Sequence, residues 1–215
     1  MNRRTPALAL LSPCLFLPPP SRAQEGTFEA RTSLGLHAAY TLTSGEWSSS
    51  PIDQSVKLFA GGISFEGDIE FRLGPRWTLA VAGSYATLAG SEWEERAAEG
   101  GDRLEFSGWM AHASLLLRPH VPLGARDLLR FEFGPAVLFS SGAETLDGVT
   151  YTHDQLPGFA VGGTAGAEYL HLFGGGFALS LRAGILVFPG AAESAASSPA
   201  TILIVPVALG MRFLL

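Results

Sequence analysis

Apolar and polar residues alternate along the last part of the chain. From Leu203 to Leu215 every second residue is apolar, and the positions between them include Ala208, Gly210 and Arg212. A period of two is the pattern of a β-strand whose two faces lie in different environments. The pattern therefore predicts a strand with one apolar face, which continues to the last residue.

The same alternation recurs in seven further segments, so the sequence predicts eight strands. They span 27–43, 56–72, 77–88, 104–118, 128–140, 159–171, 177–188 and 203–215. Each is longer than the roughly 9–11 residues with which a tilted strand crosses a bilayer. Short turns alternate with long polar loops at 44–55, 89–103, 141–156 and 189–200. This asymmetry predicts an all-β fold, an eight-stranded antiparallel transmembrane up-and-down β-barrel.

Aromatic residues gather near the predicted strand ends. The group expected at the short-turn rim is Phe71, Trp77, Phe131, Phe173, Phe177 and Phe213. The group expected at the long-loop rim is Tyr40, Phe59, Tyr85, Trp109, Phe139, Phe159 and Phe188. Two such girdles mark the two membrane interfaces. A soluble lipocalin-type barrel, with the apolar faces inside, shares the alternation, but the girdles and the loop asymmetry favour the membrane.

The first 23 residues have the pattern of a cleaved secretory signal. The basic pair Arg3-Arg4 precedes a mostly apolar stretch, and Ser21-Arg22-Ala23 puts small residues where signal peptidase cleaves. The predicted division is a signal peptide at 1–23 and a barrel domain at 24–215. A lipoprotein signal at Cys14 and a twin-arginine signal are the alternatives.

Composition changes this picture in three ways. The mean hydropathy is +0.25, yet no apolar run reaches the roughly 18 residues of a membrane helix. Without Arg3, Arg4 and Arg22, 11 of the 14 basic residues remain against 20 acidic ones. The net charge of −9 argues against a nucleic-acid partner. Cleavage also removes the single cysteine, so neither thiol chemistry nor a disulfide is expected, and no cofactor or metal site is predicted.

The chain resembles the small eight-stranded outer-membrane barrels of the OmpA and OmpX type over about residues 27–215. Its last residues, Gly210-Met211-Arg212-Phe213-Leu214-Leu215, are similar to the C-terminal signal of such barrels, with Leu215 where phenylalanine is more usual. The resemblance implies a place in the outer membrane of a Gram-negative-type bacterium, contact with its lipid and lipopolysaccharide, and recognition by the barrel assembly machinery.

The same resemblance implies a structural or surface-interaction role, in which extracellular loops contact an unidentified surface protein. The alternative is a narrow channel for small or hydrophobic solutes, as in OmpW-like barrels. A membrane-embedded lipid-modifying enzyme is a minor alternative, and the chain is not predicted to be an enzyme.

The predicted inward face concentrates charge. Its charged members are Glu29, Arg31, Glu66, Asp68, Glu70, Arg130, Glu132, Glu168, Arg182 and Arg212. Side chains fill the interior of an eight-stranded barrel, and buried charges there need partners. The sequence therefore predicts a salt-bridged plug, or else a gate whose broken pairs open a pore. A second basic group is expected at the short-turn rim: Arg72, Arg76, Arg118, Arg126 and Arg130.

A histidine and a serine lie two residues apart in the fourth predicted strand. Lipid A deacylases of the outer membrane use a His-x-Ser pair that faces lipid. Alternation places His112 and Ser114 on one face, which is the predicted lumen side. Without an evident acidic partner, a coincidental pair is the preferred interpretation, and no catalytic residue is predicted.

The second long loop is acidic. It carries Glu92, Glu94, Glu95, Glu99 and Asp102. Carboxylates at this density are typical of a solvated loop tip, and they also suit Ca²⁺ or Mg²⁺ or a protein contact. The spacing is not that of an EF-hand, so the loop stays a candidate for cation or partner contact.

Overall fold

A computed structural model describes residues 31–49, 54–89, 104–146, 149–153, 159–174, 176–192 and 200–215. The strands are β1 (Thr32–Ser49), β2 (Gln54–Gly74), β3 (Trp77–Ala89), β4 (Leu104–Pro122), β5 (Asp127–Leu146), β6 (Val149–His153), β7 (Ala160–Gly174), β8 (Phe177–Ala192) and β9 (Ala200–Leu214). Within these ranges no helix is long and apolar enough to cross a membrane. The predicted signal peptide at 1–23, Glu29 and the acidic loop residues lie outside the described residues.

Eight of these strands close into a barrel. Each pairs antiparallel with its neighbours in the order β1, β2, β3, β4, β5, β7, β8 and β9. The first and last strands then pair with each other, from Ser33 opposite Leu214 to Ser44 opposite Leu203. Closure satisfies the edges of the wall strands, as a bilayer requires of a strand-built span. The predicted eight-stranded up-and-down barrel is confirmed.

Side chains alternate between an apolar exterior and a filled interior. Leu209 and Phe65 point outward and are 58% and 68% exposed, whereas Arg212 points inward and is fully buried. The apolar faces therefore lie outside, which is the reverse of a soluble lipocalin-type barrel. One aromatic was misplaced: Phe188 is fully buried in the interior. It follows the outward-facing Val187, so alternation turns it inward, and its predicted place in the girdle is wrong.

Several strands continue beyond the barrel wall at the long-loop end. Pairing of β1 with β2 extends to Ser49 opposite Gln54, although β1 leaves β9 at Ser44. Pairing of β4 with β5 likewise reaches Leu104 opposite Leu146, and in the described part of the chain β6 pairs with β5 alone. The predicted loops 44–55 and 141–156 are thus largely β-ribbons. The predicted loops are too wide because backbone pairing continues after β1 leaves β9, and pairing of that kind needs no alternation in the sequence.

Gly162 and Gly163 are neighbours in β7, and only Gly162 lacks room for a Cβ atom. A Cβ atom on Gly162 would lie 2.1 Å from the Val187 carbonyl oxygen, whereas one on Gly163 would have 3.6 Å to the nearest atom, the Gly134 carbonyl oxygen. We expect Gly162→Ala to lower the free energy of unfolding by about 1–3 kcal/mol, because the β7–β8 backbones must separate. Gly163→Ala, the matched control, should cost less than about 1 kcal/mol. Urea unfolding in phospholipid vesicles checks both variants, and equal losses would contradict the expectation.

Candidate functional site

The interior of the barrel holds a cluster of buried charged side chains, here called the lumen cluster. It contains five carboxylates and four arginines from six strands. The members are Glu66, Asp68, Glu70, Arg118, Arg130, Glu132, Glu168, Arg182 and Arg212. Opposite charges at this depth are stable only when they pair, so the contacts between them determine what the interior can do.

Arg118 joins three carboxylates across the lumen. Its Nη1 atom donates to Asp68 Oδ1 at 2.7 Å and to Glu70 Oε2 at 3.0 Å. Its Nε atom donates to Glu132 Oε2 at 3.1 Å. The predicted charge cluster omits Arg118, although alternation places it on the same inward face as His112 and Ser114. The structure confirms the inward position, and β4 continues four residues further, to Pro122.

Arg130 and Arg212 share the carboxylate of Glu168. Arg130 donates from Nη2 to Glu168 Oε2 at 2.6 Å and from Nη1 to both oxygens of Glu70, at 2.7 and 2.6 Å. Arg212 makes two parallel hydrogen bonds of 2.9 Å to Asp68 and a third of 3.3 Å to Glu168 Oε1. Paired guanidinium–carboxylate bonds of this kind fix orientation as well as charge.

Arg182 extends the cluster toward the long-loop end. It donates to Glu132 Oε1 at 2.6 Å and to Glu66 Oε2 at 3.0 Å. Every carboxylate of the lumen cluster therefore contacts at least one arginine, and the pairs form one continuous network. This network holds strands together that are far apart in sequence, which is the geometry of a plug.

Hydroxyl and imidazole side chains of β1 and β8 complete the cluster. Ser33 accepts a hydrogen bond from Arg212 Nη1 at 2.9 Å, and its hydroxyl donates to Glu70 at 3.3 Å. Ser180 donates to Glu168 at 2.5 Å and lies 2.9 Å from His37 Nε2. Alternation placed Ser33, His37 and Ser180 on the inward face, but nothing in the sequence indicated which charges they contact.

The predicted charge cluster is largely present. Eight of its ten members belong to the lumen cluster: Glu66, Asp68, Glu70, Arg130, Glu132, Glu168, Arg182 and Arg212. Arg31 is exposed just before β1, so its predicted place inside is wrong, because the buried part of the wall begins after it. Glu29 and the loop residues Glu92, Glu94, Glu95 and Asp102 lie outside the described residues.

Apolar side chains fill the interior on either side of the charges. Toward the long loops lie Met110, Ala136, Leu138, Leu186, Phe188, Ile202 and Ile204. Toward the short turns lie Leu128, Leu170, Leu172 and Ala178, with Leu214 packed against them. A cavity of about 10 Å³ near the long-loop layer is lined in part by Thr41, Glu66, Ser84 and His112, which is room for about one water molecule. The interior is thus occupied at three levels.

The histidine–serine pair of β4 is not assembled as a unit. His112 Nδ1 lies 2.5 Å from Ser84 Oγ on the neighbouring strand. Ser114 is buried on the inward face, as predicted, and its Oγ has no hydrogen-bond partner. Within the described ranges, no three His, Cys, Asp or Glu side chains come together as metal ligands.

The exterior is an apolar belt with aromatic pairs at both rims. Tyr85 stacks on Trp109 with ring centres 6.0 Å apart, and Phe139 lies 5.5 Å from Phe159. At the short-turn rim, Phe177 is 5.8 Å from Phe173 and 5.9 Å from Phe213. An apolar, aromatic-rimmed wall around a charged interior is what an outer-membrane bilayer requires. The protein is an eight-stranded outer-membrane β-barrel.

Solved structures of small outer-membrane barrels resemble this barrel at low sequence identity. Neisserial surface protein A is 11% identical with a TM-score of 0.48, over 85% of this chain and 97% of that one. OprG from Pseudomonas aeruginosa is 9% identical with a TM-score of 0.48, over 86% and 96%. Ail of Yersinia pestis is 12% identical with a TM-score of 0.41, over 85% and 99%. No protein-family model and no curated protein matches the chain.

Proposed function

We propose that this barrel is a structural and surface-contact protein, and that it meets its partner through the long-loop end. The observation that carries the proposal is the extension of paired strands beyond the barrel wall, above an interior filled at three levels. A filled interior favours this role over a channel or a catalytic pocket. Contact with lipopolysaccharide and recognition of β9 by the assembly machinery stay predictions.

The ribbons offer backbone hydrogen-bonding groups that the barrel wall does not. In the wall, each strand is paired on both sides, whereas among the described strands β6 pairs only with β5. An edge of this kind accepts an extended segment of another chain as an additional strand. Its residues, Val149-Thr150-Tyr151-Thr152-His153, are β-branched or aromatic in four of five positions, which favours such pairing. The structure therefore supports an extended peptide as the partner.

The charge of this end favours a basic partner. By sequence position, the segments that join the wall strands here carry twelve acids against three bases, Lys57, Arg96 and Arg103. The acids are Glu46, Asp53, Glu92, Glu94, Glu95, Glu99, Asp102, Glu105, Glu144, Asp147, Asp154 and Glu193. A surface of one sign attracts partners of the other sign and repels those of its own. The proposed partner is therefore a positively charged, extended segment.

The test measures binding of an oligolysine peptide to the protein in lipid nanodiscs. We expect binding above empty nanodiscs that falls as salt rises, because exposed charges are screened. The variant Glu92→Gln, Glu94→Gln, Glu95→Gln and Asp102→Asn should bind roughly tenfold more weakly at low ionic strength.

The matched control removes four other acids of the same end: Glu46→Gln, Asp53→Asn, Glu144→Gln and Asp154→Asn. A smaller loss in this control would assign the electrostatic attraction to the second loop, separately from the strand pairing at β6. An equal loss would spread the contact over the whole end. Wild-type binding no stronger than that of empty nanodiscs would overturn the proposal.

A further inference from the structure

The short-turn end of the barrel carries a group of arginines outside the lumen, here called the basic rim. It consists of Arg31, Arg72, Arg76 and Arg126. Arg31 and Arg72 are adjacent, because the Arg72 backbone N–H donates to the Arg31 carbonyl at 3.0 Å. Arg76 lies in the β2–β3 turn and Arg126 in the β4–β5 turn. The basic rim therefore follows the circumference from β1 to β5.

The described short turns carry few acidic residues. Within the described residues of the short turns, 74–77, 122–127, 174 and 176–177, the one acid is Asp127. Asp127 is itself engaged, since Tyr169 OH donates to its Oδ1 at 2.5 Å and His171 Nδ1 lies 2.8 Å from the same atom.

The basic rim lies at the edge of the apolar belt. Trp77 follows Arg76 directly and is 37% exposed, and Phe71 precedes Arg72 and is 48% exposed. Exposed aromatic residues at a rim mark the depth of the lipid headgroups. Long side chains next to them place guanidinium groups at the level of the phosphates. Arg31 and Arg126 are exposed, so they are open to a ligand from the bilayer surface.

We propose that the basic rim binds the phosphate headgroups of anionic phospholipids in the leaflet at the short-turn end. A guanidinium forms paired, charge-assisted hydrogen bonds with phosphate oxygens, which an ammonium cannot match. Each basic side chain at an anionic membrane surface strengthens binding. The acids of the long-loop end disfavour the same headgroups there. The two ends of the barrel therefore favour different lipids in their leaflets. The basic rim retains anionic phospholipid in preference to other lipid.

The experiment compares bound lipid in the full barrel after delipidation and exposure to equal phosphatidylglycerol and phosphatidylethanolamine, read by native mass spectrometry. We expect the wild type to retain phosphatidylglycerol preferentially. The variant Arg31→Gln, Arg76→Gln and Arg126→Gln should reduce that preference roughly tenfold or more at low salt. The corresponding lysine variant should keep part of it, because the charge remains while the fork geometry is lost.

The control neutralises the three bases of the opposite end, Lys57→Gln, Arg96→Gln and Arg103→Gln, and so makes the same change in net charge. The preference should survive in this control. An equal loss in both triple variants, or a wild type without preference, would overturn the proposal. Added inorganic phosphate at constant ionic strength should leave lipid retention unchanged. Displacement by phosphate would assign the site to a free anion instead and overturn the lipid assignment.

Discussion

Replacing Arg118 by methionine is expected to lower the free energy of unfolding by about 3–5 kcal/mol. The guanidinium contacts Asp68, Glu70 and Glu132 while fully buried, so its removal takes a partner from three carboxylates at once. Desolvated charges without compensation are the costliest defects of a protein interior. The measurement is the urea midpoint of the barrel refolded in phospholipid vesicles, followed by tryptophan fluorescence, with an unchanged slope.

Arg126→Met is the matched control for this prediction. It makes the same substitution at an exposed position of the β4–β5 turn and should change the free energy of unfolding by less than about 0.5 kcal/mol. The double variant Arg118→Met, Glu132→Gln should cost less than the sum of its single changes, because the two residues share a contact. Similar losses for Arg118→Met and Arg126→Met would show that the lumen cluster contributes little to stability.

The barrel is expected to conduct no ions until all three filled levels of its interior are opened together. The lumen cluster fills one level, and the apolar layer around Phe188 and Ile202 fills the next toward the long loops. The apolar layer around Leu170 and Leu172 fills the level toward the short turns. Three obstructions in series block ions as long as any one of them stays in place. Removal of charges alone by Arg130→Ala with Glu132→Ala, or of apolar volume alone by Phe188→Ala with Ile202→Ala, should therefore leave the protein closed.

Single-channel recording in planar bilayers checks this prediction. We expect no stable openings for the wild type or either double variant, and resolvable openings for the variant that combines both double variants with Leu170→Ala and Leu172→Ala. Slower gel migration on heating confirms that each variant is a folded barrel before it is recorded. Stable openings of the wild type would favour the narrow-channel alternative instead. Openings of the charge variant alone would identify the lumen cluster as the gate.

The wall of the barrel was predictable because its signal is local. Outward Phe131 and Phe133 alternate with inward Arg130 and Glu132 within four consecutive residues, and burial follows that alternation. The ends of the strands were less predictable. After β1 leaves β9 at Ser44, residues 45–49 still pair with 54–58 through backbone groups, and backbone pairing needs no alternation in the sequence.

The membership of the lumen cluster was predictable in part. Glu66, Asp68 and Glu70 were recognised because three acids at alternate positions of one strand share a face. Arg118 is missing from the predicted cluster because the sequence does not show where β4 ends, and Arg31 is wrongly included because the sequence does not show where β1 begins. Each error is a misplaced strand boundary of a few residues. Near the rim, a side chain is buried or exposed according to whether its strand continues past it.

The sequence by itself determined that this protein is a barrel, which face of each strand meets lipid, and that charge lies inside. These properties depend on neighbours along one strand. Only the tertiary structure decided which charges meet, because partners across the lumen are set by strand tilt and register around the whole barrel. Arg182 bonds to Glu66, 116 positions away in sequence. Neighbouring residues in the sequence do not indicate contacts of that kind, and these contacts decide whether the interior is blocked or open to solutes.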